Sequence, residues 1–146
     1  MNGPDNRLFE AYRDCLPQLQ HAVATVHEAS NWQDKYRLLM QVGKLLPELP
    51  AEWQQDSARV RGCESAAWLY HQTRDGQHLY VAFSDARIVK GLIALLLAAV
   101  NNRSADEIMT FSAEHYFASL GLAGQLSPSR TNGLYALATT MKNLIG

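Results

Sequence analysis

Two thiols, Cys15 and Cys63, are the side chains of this sequence best suited to nucleophilic chemistry, and their settings differ. Cys63 lies in Val60-Arg61-Gly62-Cys63-Glu64-Ser65, where Gly62 permits a tight turn and lets another backbone approach closely. An ordinary thiol, with a pKa of about 8.5, is only slightly ionised at neutral pH, so local charge matters. Arg59 and Arg61 favour a thiolate at Cys63, and Glu64 opposes it. From the residues alone, Cys63 is either a reactive thiol on a loop or a small buried hydrophobe. Cys15 shares a three-to-four spacing with Leu8, Tyr12 and Leu19 and reads as core. Neither cysteine belongs to a CxxC pair and no histidine stands at ligand spacing, so structural zinc and thioredoxin-like chemistry lack their parts. A Cys15–Cys63 bridge is not expected in a reducing compartment.

The elements that must position Cys63 follow from periodicity and punctuation. Residues 5–29 read as helical, split at Pro17, which starts a second helix in its first turn. Asn31 caps a helix with Trp32, Tyr36, Leu39, Met40 and Gly43 on one side, ended by Leu46-Pro47-Glu48-Leu49-Pro50. Trp68 and Tyr70, then Leu79, Val81 and Phe83, alternate around Asp75-Gly76, the favoured hairpin turn. A third strand is expected around Ser57–Val60. Next come the apolar helix from Ala86 to Asn101, a capping box Ser104-Ala-Asp-Glu107, a helix from Ser112 to Gly121, and a last helix from Ser127-Pro128. Leu134, Leu137, Ala138 and Met141 form the last helix's inner face. The expected class is α+β: a small antiparallel three-stranded sheet packed against several helices, in one domain spanning residues 1–146.

Within this frame Asp85 either caps the helix after the hairpin or contacts a partner, with capping favoured. Arg130, in the first turn of the last helix, either pairs with a carboxylate or lines the surroundings of the thiol. The histidines are dispersed. The hairpin register sets His71 opposite Tyr80 and Thr73 opposite His78, which gives no two-histidine metal face and reads as surface histidines. Trp68 and the apolar face of the hairpin are expected to cover the resting Cys63.

Composition narrows the function. Hydrophobic residues make up 47% of the 146, ordinary for a folded chain. A net charge of -1 argues against a general nucleic-acid binder. The most apolar run, Ile88 to Val100, is interrupted by Lys90 and is too short to span a bilayer. No secretory pattern opens the chain, so the expected location is cytoplasmic, without a membrane partner.

The loop Arg61-Gly62-Cys63-Glu64-Ser65 followed by Trp68 resembles the cysteine loop of the SufE/CsdE family of sulfur acceptors. Other segments match in order: Trp32 to Tyr36 with Gly43-Lys44 and the Leu46–Pro50 run; Ser84-Asp85-Ala86 leading to Ile88–Ile93; Leu120-Gly121-Leu122; and Leu126–Arg130 with Gly133-Leu134. The resemblance implies a SufE/NifU-like fold and an acceptor thiol at Cys63. It further implies sulfur received from the persulfide of a pyridoxal-phosphate cysteine desulfurase, which family members also stimulate. That sulfur is relayed to an iron–sulfur scaffold or another sulfur user, with no metal or cofactor in the acceptor itself. Arg61, Gly62, Glu64, Asp85 and Arg130 are the associated loop and partner-contact candidates. Glu64 and Lys35-Tyr36-Arg37 lean towards the CsdE branch, whereas Ser65 and Pro128 look as much like SufE.

Three other functions compete. An iron–sulfur scaffold needs several thiolates, more than one loop supplies. A pure binding regulator needs no thiol. A thiol hydrolase needs a base, and no histidine lies near Cys63 in sequence.

Overall fold

The structure, a computed structural model, describes residues 4–145. Asp5 caps α1 (Asn6–Asp14), its carboxylate accepting from the backbone N–H groups of Arg7 and Leu8. Pro17 sits in the first turn of α2 (Leu16–Glu28), where its missing N–H forfeits no helical bond. Asn31 caps α3 (Trp32–Val42) by accepting from the N–H of Asp34 at 2.9 Å. The inner line of α3 is Lys35, Leu39 and Val42, not the expected one through Tyr36, which is 37% exposed. Lys35 is buried because its ammonium reaches the open end of α2 and donates to the Val26 carbonyl at 2.7 Å.

The sheet has two strands. β1 (Ala67–Arg74) and β2 (Gln77–Ser84) pair antiparallel across Asp75-Gly76, whose φ angles of 54° and 77° are those the turn requires. Among the described residues the expected third strand is missing. Arg59 makes one bridge to Trp68, and the Val60 N–H donates to Ala67 at 2.9 Å. The reason is local: Asp56–Ala58 is wound into a 3-10 turn, and Gly62 at φ 89° turns the chain away. Too little extended chain lies between them to build a ladder.

The hairpin register is as read, with His71 opposite Tyr80 and Thr73 opposite His78. His71 and His78, however, are not surface groups, whereas His21, His27 and His115 are exposed. His78 is buried, His71 is half-buried, and their Nε2 and Nδ1 atoms meet at 2.7 Å. Diagonal neighbours on one sheet face lie within reach of large rings, so a pairing that is not directly opposite still brings them together.

α4 (Arg87–Val100) is apolar almost all round and forms the centre of the core. Its Gly91 lies against α3: a Cβ there would stand 2.1 Å from the Leu39 carbonyl oxygen, so the two backbones touch. The capping box at Ser104 starts α5 (Ala105–Thr110), and Ser112 caps α6 (Ala113–Ser119). Ser127 caps α7 (Pro128–Asn143), whose Leu134, Leu137, Ala138 and Met141 are buried as expected. Buried tyrosines peg these layers together. Tyr12 donates to the Pro47 carbonyl at 2.7 Å and Tyr80 to that of Met141 at 2.8 Å. No helix among the described residues is long and apolar enough to cross a membrane.

Candidate functional site

The loop carrying Cys63 is held at both ends and touches α7 in its middle. Its first end is tied by the Val60–Ala67 backbone bond, and its second runs into β1. Gly62 adopts φ 89°, a conformation that side chains disfavour, and a Cβ there would stand 3.0 Å from the Cβ of Ala136 on α7. The Cys63 thiol then donates to the Gly133 carbonyl of α7 at 3.4 Å. Gly133 leaves the room for this: an added Cβ would meet the sulfur at 3.0 Å. The thiol is thus seated on helix backbone rather than on side chains.

Beside it opens a cavity of about 560 Å³. Val89 and Leu92 of α4 and Leu134 of α7 make apolar wall, while Ser127, Arg130 and Glu64 add polar groups. Burial pushes the half-buried Cys63 thiol up, and the nearby Arg59 guanidinium, pulling it down, does not overcome that. Cys63 therefore rests as a protonated thiol at neutral pH. Of the charges expected to act on it, Arg59 is the one that does; Arg61 and Glu64 are exposed.

The other candidates sort by position. Arg130 borders the cavity and forms no ion pair among the described residues, so of its two readings the thiol's surroundings is the one that fits. Asp85 does not cap α4. The helix starts at Arg87, which makes Ala86 the cap position, one residue beyond Asp85. The Ser84 hydroxyl takes the local role, accepting from the Ala86 N–H at 3.2 Å and donating to Ala66 at 2.6 Å. Asp85 is left exposed. Cys15 is buried at the α1–α2 junction and donates to the Tyr12 carbonyl, in keeping with a core residue.

The cover of the thiol is not the expected one. Trp68 is buried, pairs with Phe83 across the hairpin and bridges Arg59, but it does not border the cavity. α7 is the cover. Gly133 and Ala136 were missed as functional positions, although for Gly133 a signal existed. A glycine inside a helix costs about 1 kcal/mol against alanine, so one retained there has a packing reason.

Residues 20–145 match the family model described as SufE: Fe-S metabolism associated domain. The chain is 43% identical over 110 residues to the sulfur acceptor protein CsdE of Escherichia coli K12, covering 75% of each. It is 35% identical over 123 residues to an uncharacterized SufE-like protein of Haemophilus influenzae, covering 84% of this chain and 98% of that one. A solution structure of a hypothetical protein from Thermus thermophilus superposes with a TM-score of 0.69, covering 88% of this chain and 93% of that one. At 18% identity that likeness is one of fold.

Proposed function

The chain belongs to the SufE family, and we propose that it is a sulfur acceptor in which Cys63 takes the outer sulfur of a persulfide on a pyridoxal-phosphate cysteine desulfurase. The observation that carries this reading is the seat of the thiol: a single loop cysteine against the α7 backbone, beside a partly apolar cavity. An acceptor has two conflicting needs. Its persulfide must be kept from stray reductants, yet its thiolate must reach the donor.

The step follows thiol–disulfide exchange. The Cys63 thiolate attacks the outer sulfur of the donor persulfide, a new S–S bond forms on Cys63, and the donor cysteine leaves as a thiolate. No net oxidation occurs. Because the resting thiol is protonated, docking has to expose it or bring a base, and the loop between Val60 and Ala67 is the segment that moves. Arg61, Gly62, Glu64, Asp85 and Arg130 are the groups that meet the partner or steer the loop. The sulfur then passes to a downstream acceptor such as an iron–sulfur scaffold, and docking stimulates the desulfurase.

The test is to incubate the protein with a cysteine desulfurase and cysteine, then to measure its mass and map the modified peptide. One added sulfur on Cys63, absent in Cys63→Ser, is the expected result. Equal or greater labelling at Cys15 overturns the assignment. Stimulation of the desulfurase that survives in Cys63→Ser without transfer would make the protein a binding regulator instead.

A further inference from the structure

Cys63 also lines a second opening. A cleft of about 410 Å³ is lined by Asp56, Arg59, Val60, Arg61, Gly62 and Cys63, and none of these residues belongs to α7. Its size falls at the small end of ligand sites, which run from about 300 to 1,000 Å³. Asp56, Arg59 and Arg61 are exposed, and none forms an ion pair among the described residues. The cleft therefore offers two guanidinium groups and one carboxylate, all free to bind, on the loop that carries the thiol.

Each charge has a natural counterpart. A guanidinium fork matches a carboxylate in shape as well as charge, and an aspartate matches an ammonium. A ligand carrying a carboxylate, an ammonium and a sulfur nucleophile is a thiol amino acid. An internal cysteine of a protein carries neither charge. We propose that this cleft binds free cysteine, or a thiol amino acid of similar size, and passes sulfur between it and Cys63 without a protein partner. The proposal rests on the sulfur-acceptor reading only in needing sulfur on Cys63.

The exchange balances. The thiolate of the bound amino acid attacks the outer sulfur of the Cys63 persulfide. That S–S bond breaks and a new one forms on the amino acid, which leaves as its persulfide. Cys63 departs as a thiolate and takes a proton from water. Nothing is oxidised or reduced overall. The two openings then divide the work: the cavity at α7 shelters the bound sulfur, and the cleft at Asp56 and Arg61 admits a small carrier.

The experiment loads Cys63 of the full chain with inorganic polysulfide, with Cys63→Ser as the control, so that no desulfurase is needed. Sulfur loss is followed with L-cysteine, mercaptopropionate and cysteamine, each rate divided by that thiol's rate on a small persulfide in solution. L-Cysteine is expected to show saturation and a corrected rate at least about tenfold above cysteamine, with mercaptopropionate between them. Arg61→Gln should bring both acids down to cysteamine, while Asp56→Asn should lower only L-cysteine, to the level of mercaptopropionate. A second readout needs no loaded sulfur: L-serine, which shares both charges, should slow alkylation of the free Cys63 thiol in the wild type but not in Arg61→Gln. Equal corrected rates for the three thiols, or no protection by L-serine, would overturn the cleft and leave the relay standing. A desulfurase that fails to load Cys63 would count against the relay and leave these results intact.

Discussion

The Cys63 sulfur and the Gly133 backbone are in contact for want of a single methyl group. The thiol is raised by burial and seated on the Gly133 carbonyl, so its reaction with small alkylating agents is slowed both by scarcity of thiolate and by cover. At neutral pH it should alkylate about tenfold more slowly than free cysteine, with the rate still climbing at pH values where free cysteine has levelled off. Gly133→Ala separates the seat from stability. The substitution adds about 1 kcal/mol of helix propensity, which offsets some of the crowding, and places a methyl where the sulfur now rests. The expected outcome is a thermal midpoint within a few degrees of the wild type and several-fold faster alkylation of Cys63. Unchanged alkylation would show that α7 is not the cover.

Two elements carry their own tests. α3 and α4 meet backbone to backbone at Gly91, and the Leu39 carbonyl cannot retreat without moving a helix. Gly91→Ala should therefore cost about 3 kcal/mol, the upper end of overpacking, measurable as a drop in urea midpoint without a change in slope. In the hairpin, burial first and then His78 hold the pKa of His71 below its ordinary value of 6.5. The folded chain thus binds a proton there less readily than the unfolded chain does. Stability from this group is full above the ordinary value and is lost as pH falls below it through the folded value. The thermal midpoint should drop between about pH 7.5 and about pH 5.5, and drop less in His71→Gln.

Across the whole molecule, α7 has to be docked for the thiol to be covered, and it is docked partly by the hairpin. Tyr80, fully buried, donates to the Met141 carbonyl in the last turns of α7, beyond the reach of most intrahelical donors. Tyr80→Phe leaves that carbonyl unpaired and should cost about 1–2 kcal/mol. Because the hairpin, α7 and the thiol form one chain of contacts, the same variant should raise Cys63 alkylation, although Tyr80 does not border the cavity. A loss of stability without faster alkylation would mean that the C-terminal half of α7 is not needed to hold Gly133 in place.

Local chemistry made much of this protein legible from its residues. Asn31, Ser104, Ser112 and Ser127 are caps because a short polar side chain answers backbone N–H groups that the next turn leaves free. Asp75-Gly76 is the hairpin turn because both positions accept positive φ, and that turn alone set the register of every pair behind it. Cys63 stood out by its glycine-flanked loop and by the segments around it that resemble a known family. Other features needed the tertiary structure, since they depend on groups far apart in sequence. Lys35 turned inward because a helix end nine residues earlier offered a carbonyl. The segment before Gly62 stayed a single bridge because a 3-10 turn and a positive φ left it no length. The thiol is covered by Gly133, seventy residues away, rather than by neighbouring Trp68. Caps and turns are decided within four residues; which surface closes over a loop is decided only when the helices pack.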